Sequence, residues 1–329
     1  MRRVDRRSRL AGLLADGQWH SGERLAHRLR ITRAAVWQQV RALTTLTGAI
    51  EAVPGRGYRL HSAMELLDAR RIRRGIDPGL RPLLRRLEAH FTTDSTNQRL
   101  LENAARGGIH GHAMLAEYQT AGRGRQGREW IAPLGAGLCL SLGWRFERPA
   151  QALAGLSLAA GVALRQTLAQ AGVTGLQLKW PNDLMYEERK LAGILIEMRG
   201  EMAGACTVVL GVGVNVALQP GVAARVKQPC TDLRTALGGA LPSRNMLAAR
   251  ILSAWLAMLQ DYSRTGFAPY QAAWREADML RGRAIALHSA EGTIHGKALE
   301  VAEDGALVVS VLNRPRRFYS GEVSLHIPT

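Results

Sequence analysis

The sequence predicts an α+β protein in three parts: an N-terminal winged helix-turn-helix, a central mixed or antiparallel sheet with helices on one face, and a small C-terminal β-barrel. Three observations carry that reading. Two short helices joined by a tight turn precede a glycine-rich hairpin. Strand-like runs in the middle follow one another with no helix between them, unlike repeated βαβ units. Residues 279–329 hold short apolar runs cut by Gly and Asp.

The elements follow in order. Residues 6–16 read as a helix. Ser21 is an N-cap for a helix over 22–29, and Arg30-Ile31-Thr32 turns the chain into a second helix over 33–43. On that helix Val36, Val40 and Leu43 fall at i, i+4 and i+7 and are expected in the core. Arg33, Ala34, Trp37, Gln38 and Arg41 are then free for a DNA groove. Residues 49–60 form two strands around Pro54-Gly55-Arg56-Gly57, a wing whose tip residue Arg56 can reach a phosphate or the minor groove. A helical protein-interaction module is the plainer alternative. Residues 62–90 read as a helical linker ending in the basic stretch 81–86. Strands are expected at 113–118, 137–144, 175–180, 191–198 and 206–216, and helices at 97–106, 150–170, 244–265 and 267–277. Four more strands fall at 283–289, 292–301, 306–311 and 318–326.

Composition limits the function. The chain has 329 residues, 47% hydrophobic and 22% charged, as in globular proteins. No run of 18 apolar residues occurs, so no membrane span or membrane partner is expected. The basic N-terminus lacks the apolar stretch of an export signal. Three widely spaced cysteines suit a reducing cytoplasm and argue against a disulfide framework or a zinc site. The net charge of +17 is uneven: residues 1–90 hold 19 Arg against 8 Asp and Glu. A basic N-terminal third suggests a phosphate-rich partner at one end. Lysine occurs only at 179, 190, 227 and 297, as though kept where arginine's planar fork does not fit.

Residues 122–127, Gly-Arg-Gly-Arg-Gln-Gly, match a dinucleotide-binding fingerprint letter for letter. That fingerprint has meaning only between a strand and a helix. Here Pro133 and two further glycines lead into another strand, so a Rossmann oxidoreductase is set aside. Gly122, Gly124 and Gly127 instead allow close backbone approach and expose N–H groups. Arg123, Arg125 and Arg128 add three cations able to grip phosphate and spread developing charge. A solvated loop is the plainer reading, and a second segment decides against it. Lys179-Trp180-Pro181-Asn182-Asp183 ends one strand and Lys190 begins the next. The Trp-Pro step predicts extended backbone. Asp183 is placed to hold Mg²⁺ or an Arg, and Ala192 and Gly193 leave room for a flat ligand beside Lys190. Asp94-Ser95-Thr96-Asn97 puts two hydroxyls and an amide at a helix start, where Asp94 or Ser95 also caps. Gly211-Val212-Gly213 marks another close approach.

Taken together, DSTN, EYQTAGRGRQGREW, KWPNDL, RKLAGILIE and GVGVNV, in this order, resemble the bifunctional biotin–protein ligase/biotin operon repressor family of bacteria. The N-terminal HSGERLA, TRAAVWQQV and VPGRGYRL resemble its winged helix, and SGEVSLH resembles the end of its SH3-like cap. The resemblance implies a winged helix at 1–62, a class II synthetase-like catalytic domain at 63–278 with a linker at 63–88, and an SH3-like domain at 279–329. It implies ATP and Mg²⁺, with biotin as substrate, formation of biotinoyl-5′-adenylate, and transfer to a lysine of the biotin carboxyl carrier protein of acetyl-CoA carboxylase. Biotin would contact Ser95, Thr96, Asn97, Gln119, Arg123, Gly124, Arg125, Lys190 and Gly193. ATP or the adenylate would contact Arg123, Arg125, Arg128, Trp130, Lys179, Asn182, Lys190 and Asn215. Arg123, Arg125, Lys190 and Asp183 would carry the reaction, with Mg²⁺ brought by ATP and Asp183 its candidate protein ligand. Residues 217–231 would cover the adenylate. The ligand-loaded form would be a homodimer bound to operator DNA of biotin genes. A biotin-sensing transcription factor without ligase activity and a lipoate ligase are the rival readings.

Overall fold

A computed structural model describes residues 6–47, 50–61, 63–200, 204–219, 221–226, 228–289 and 292–325. Its N-terminal part holds α1 (Arg6–Leu14), α2 (Gly22–Leu29) and α3 (Arg33–Thr47). Ser21 Oγ caps α2 by accepting from Arg24 N at 3.1 Å. Arg30 then reverses the chain in the left-handed region (φ 54°). Helix α1 stops two residues short of expectation, because Asp16 turns back to accept from Gln18 N and contact His20. Helix α3 runs four residues past it. Val36, Val40 and Leu43 are buried with Leu10, Leu14 and Leu25, while Arg33, Ala34, Trp37, Gln38 and Arg41 are exposed.

The wing is β1 (Ile50–Val53) and β2 (Gly57–Leu60), and His20 forms a single antiparallel bridge to Tyr58. Gly57 (φ 102°) runs so close to the His20 carbonyl that no side chain fits. Trp19 lies between two wing arginines: the guanidiniums of Arg56 and Arg59 each stack 4.7 Å from its ring. The winged-helix core does not close on itself. Leu134, far along the chain, is buried in it, and Met64, Phe91 and Tyr118 pack against it.

Residues 62–90 are not a helical linker. One short helix, α4 (Ala69–Gly75), and a single turn at Arg81–Leu83 interrupt extended chain, and β3 (Arg86–Thr93) follows. Pro78 and Pro82 limit any helix. The alternation of Leu87, Ala89 and Phe91 with Glu88, His90 and Thr92 is a strand's pattern, realised by parallel pairing with β4 (His112–Gln119). Helix α5 (Thr96–Arg106) joins the two.

The central sheet has seven strands: β3, β4, β5 (Gly137–Phe146), β6 (Leu176–Lys179), β7 (Asp183–Tyr186), β8 (Arg189–Gly200) and β9 (Cys206–Asn215). Their order is β3-β4-β5-β9-β8-β7-β6, antiparallel except for β3 with β4. Strand β7, not separately expected, forms a tight hairpin with β8 through Glu187 and Glu188, both at positive φ.

Side chains alternate across this sheet. Leu138, Leu140, Leu142, Val208, Leu210, Val212, Ala192 and Ile194 enter the main core. There they meet α6 (Leu156–Gln170) and α9 (Arg244–Thr265), which follows the short helices α7 (Val222–Arg225) and α8 (Leu233–Ala236). Trp255 of α9 is fully buried and donates to Ala160 O at 3.2 Å. The expected helix over 150–170 is broken at Gly155 (φ 81°), where Phe267 leaves no space for a side chain. The expected helix over 267–277 is one tight turn and then α10 (Gln271–Ala277). Helices do not share one face. Helix α5 packs on the opposite side, its Leu100 against Met114 and Val209.

The C-terminal sheet comprises β10 (Ala284–Ser289), β11 (Gly292–Val301), β12 (Leu307–Val311), β13 (Arg314–Phe318) and β14 (Glu322–Leu325). It is antiparallel in the order β13-β12-β11-β10-β14, so β13 and β14 are edges and the barrel is not closed by pairing among the described residues. The single strand expected at 318–326 is two edge strands separated by a turn, and His326 lies outside the described residues.

Candidate active site

The α5 side of the sheet carries a floor of small residues. Gly193 pairs across to Gly213 and Gly213 to Cys139; one row along, Leu195 pairs to Gly211 and Gly211 to Ser141. A cavity of about 390 Å³ opens over it, within the range of small-molecule sites. Ala192, expected to give room beside Gly193, points into the core instead. A Cβ on Gly211 would fall on the Asn97 amide, and one on Gly213 inside the Trp130 indole.

One end of the cavity is lined by uncharged polar side chains that hydrogen-bond one another. Ser95 caps α5 and places Thr96 and Asn97 over the sheet. Thr96 donates through its backbone N and Oγ1 to Gln119 Oε1 at 2.8 and 3.1 Å. Ser141 Oγ lies 2.7 Å from Thr96 Oγ1 and 2.5 Å from Asn97 Oδ1. Asn97 Nδ2 donates to Leu195 O at 3.2 Å and Glu197 Oε2 at 2.9 Å. These donors and acceptors are aimed and desolvated, suited to an uncharged polar ring that offers both kinds of group.

The other end is cationic. Residues 122–130 form a small hairpin: Trp130 N donates to Gly122 O at 2.9 Å and Gly124 N to Arg128 O at 2.7 Å. The Gly124 amide, expected to be exposed to ligand, is therefore spent inside the loop. Gln126 (φ 54°) and Gly127 (φ 72°) make the turn, and strand β5, not a helix, comes next. The arginines diverge. Arg123 Nη2 donates to Gln98 Oε1 at 2.8 Å and lies 3.3 Å from Glu197 Oε1. Arg125 Nη1 donates to Asn182 Oδ1 and Gly321 O, both at 3.4 Å. Arg128 forms an ion pair with Glu322. Burial pulls the Arg125 guanidinium below its ordinary pKa.

The Trp180–Pro181 peptide, in a stretch expected to be extended, is cis. Trp180 Nε1 donates to Gly305 O at 3.1 Å, and Asn182 is tied to β8 by Ile194 O at 2.6 Å. Lys190 Nζ lies 2.7 Å from Asp183 Oδ1 and 5.9 Å from the Trp130 ring centre. Burial lowers the Lys179 pKa, and the Lys190 and Arg128 charges add to this against the pull of Asp183. An anion in the cavity would relieve Lys179 and Arg125, the two cations whose charge burial disfavours. Among the described residues no cluster of three or more ligating side chains forms a metal cage.

The cavity wall includes Ser95, Thr96, Asn97, Gln119, Arg123, Gly124, Arg125, Arg128, Trp130, Lys179, Asn182, Asp183, Lys190 and Gly193. Asn215 does not join them. Its Nδ2 donates to Thr231 O at 2.9 Å and Lys190 O at 3.3 Å, fixing the segment that follows residues 217–228. Pro220 and Lys227 of that segment lie outside the described residues, and Gln228 reaches the cavity. Sequence reasoning missed Ser141 and, from the C-terminal sheet, His288, Glu322 and Ser324, and it missed Glu197, which contacts the wall residues Asn97 and Arg123. A serine among the leucines of β5 and a glutamate ending the apolar run of β8 were available signals. The C-terminal contributions had none.

A polar neutral end, a cationic end and a glycine floor between them define an enzyme that activates a small acid with a nucleotide, here joined to a DNA-binding module. Residues 89–215 match the model of the biotin/lipoate A/B protein ligase family, and residues 6–59 match an HTH domain model. The chain is 38% identical over 317 residues to the bifunctional ligase/repressor BirA of Salmonella typhimurium, covering 96% of each chain. It is 37% identical over 247 residues to the biotin–[acetyl-CoA-carboxylase] ligase of Mycobacterium tuberculosis, covering 73% of this chain and 88% of that one. The biotin protein ligase of Aquifex aeolicus, solved with biotin and ATP, superposes with a TM-score of 0.63 at 27% identity over 74% of this chain and 99% of its own. The chain belongs to the bifunctional biotin ligase/repressor family: a biotin–protein ligase carrying a helix-turn-helix repressor module.

Proposed function

We propose that the protein joins biotin to ATP as biotinoyl-5′-AMP and transfers the biotinoyl group to one lysine of the biotin carboxyl carrier protein of acetyl-CoA carboxylase. The two-ended cavity is the observation that carries this reading. Biotin's ureido ring would bind Ser95, Thr96, Asn97 and Gln119, and its chain would cross the floor at Gly193 and Gly213. Its carboxylate would meet Arg123, Arg125 and Lys190. The carboxylate oxygen attacks the α-phosphorus, the bond to the β-phosphate oxygen breaks, and pyrophosphate leaves. In the second step the acceptor amine attacks the acyl carbon, AMP departs and the amine loses a proton. No side chain of the protein is a nucleophile. Catalysis rests on positioning and on cations placed where charge develops. Trp130, Arg128, Lys179 and Asn182 would hold the nucleotide, with Asn215 acting through the covering segment. Mg²⁺ would arrive on the triphosphate, with Asp183 the carboxylate at hand, although Lys190 already holds it.

The test is transfer to a carrier domain followed by mass spectrometry, with ATP, Mg²⁺ and biotin. Wild type is expected to add one biotin, and Arg123→Ala to be slowed. No mass gain with biotin still bound would overturn the ligase reading and leave a biotin-sensing transcription factor.

The DNA half is proposed to repress biotin genes as a ligand-loaded homodimer in the cytoplasm, with parts bounded at 1–62, 63–278 and 279–329. Trp37 and Arg41, stacked at 4.8 Å on the exposed face of α3, would read the major groove. Arg56→Ala is expected to weaken operator and random DNA alike and to reduce the salt dependence of binding by about one phosphate contact. An unchanged slope of log K against log salt would exclude Arg56 from the interface.

A further inference from the structure

We propose that the joint between the winged helix and the ligase part is a second ligand site, built for a small amphipathic monocarboxylate. A cavity of about 410 Å³ lies where five segments meet: the end of the wing and residues 63–65, the loop 134–136, the exit of β9 at 216–219, Arg234 of α8, and residues 241–244 at the start of α9. It is as large as the cavity over the glycine floor and shares no lining residue with it.

Its walls suggest the occupant. Leu60, Met64, Leu134 and Leu241 give an apolar side. Arg234 and Arg244 give the polar side. Arg244 is 5% exposed. Its Nη1 donates to Glu117 Oε2 and Glu65 O, both at 2.9 Å, and its Nη2 to Gly137 O at 2.8 Å. Its Nε is buried with no acceptor among the described residues and is not open to the cavity. Arg234 is exposed and has no ion pair among the described residues. The carboxylate on the wall, Glu65, is already engaged: Oε1 accepts from Ser243 Oγ at 2.9 Å and Oε2 from Asn245 N at 3.4 Å. Arg244 is already paired with Glu117, so Arg234 is the cation of this wall left for a ligand, and the Glu65 carboxylate on the same wall favours a singly charged carboxylate over a doubly charged phosphate. An apolar wall beside that pole calls for an aliphatic body.

Occupancy has a structural consequence. Val216 N and Ala217 N both donate to Ala136 O at 2.9 Å, and Arg234 N donates to Val216 O at 3.1 Å. A ligand seated here ties residues 63–65 to the strand exit that leads into 217–231, and to Leu134 in the winged-helix core.

The experiment is calorimetric titration of the full chain with octanoate in saturating biotin, so that the other cavity is filled. Saturable binding at one site is expected. Arg234→Gln should weaken it by about tenfold or more, as loss of a charge-assisted hydrogen bond does, and 1-octanol should bind correspondingly less well. Leu241→Trp, which fills the cavity, should abolish it. Both variants should keep wild-type biotin affinity and thermal unfolding. Absence of saturable octanoate binding, indifference to Arg234→Gln, or displacement by biotin would overturn the proposal.

Discussion

Replacing Lys190 by alanine is expected to slow adenylate formation by about 10²–10³-fold, the cost of removing one preorganised group that stabilises transition-state charge. Lys190 Nζ and Asp183 Oδ1 are 2.7 Å apart, with side chains only 15% and 18% exposed. The substitution therefore removes a cation and also leaves a carboxylate beside the incoming phosphates. The loss should fall mainly on kcat for pyrophosphate release. Lys190→Arg should not restore the rate. The lysine stem already runs against Gly193, beside the Trp130 ring, so a planar fork lacks room. A Lys190→Ala enzyme releasing pyrophosphate at more than a tenth of the wild-type rate would remove Lys190 from the reaction.

Gly211→Val is expected to weaken biotin binding on the order of 10²-fold while leaving the winged helix folded. Any Cβ at this position displaces the Asn97 amide. Asn97 would then lose its bonds to Leu195 O and Ser141, worth about 0.5–1.5 kcal/mol each, and its bond to the Glu197 carboxylate, worth about 1.5–3 kcal/mol. Glu197 would also loosen its contact with Arg123, so the damage reaches both ends of the cavity. Calorimetry with biotin alone is the measurement. An affinity within threefold of wild type would show that the Asn97 network does not shape the pocket.

Much of this site was legible because its parts are sequence-local. Ser95 announces itself as a cap at a helix start, and the glycines of 122–127 and 211–213 mark places where only backbone fits. The three arginines were visible as residue types, but their divergence was not. Arg123 turns toward α5, Arg125 toward Asn182, and Arg128 toward the C-terminal sheet. Those directions depend on partners between 25 and 196 positions away. Strand β3 was misread for a related reason. Its alternation is modest and its neighbours are arginine-rich, so only parallel pairing with β4 makes it a strand. Asn215 has the residue type of a ligand contact but an inward job, holding Thr231 and Lys190 carbonyls. Pattern alone does not separate those two uses of an asparagine.

Leu134, 4% exposed within the winged-helix core, bears on how the protein can be divided. It sits four residues beyond Trp130, so the DNA-binding module borrows part of its interior from the segment that closes the ligand loop. Cutting the chain after the wing would strip cover from Leu134, Met64, Phe91 and Tyr118 together. A fragment lacking the module carries an adhesive apolar scar beside its active site, and the excised module lacks one wall of its own interior. In this protein the repressor part and the ligase part share an interior, and neither half is a spare component.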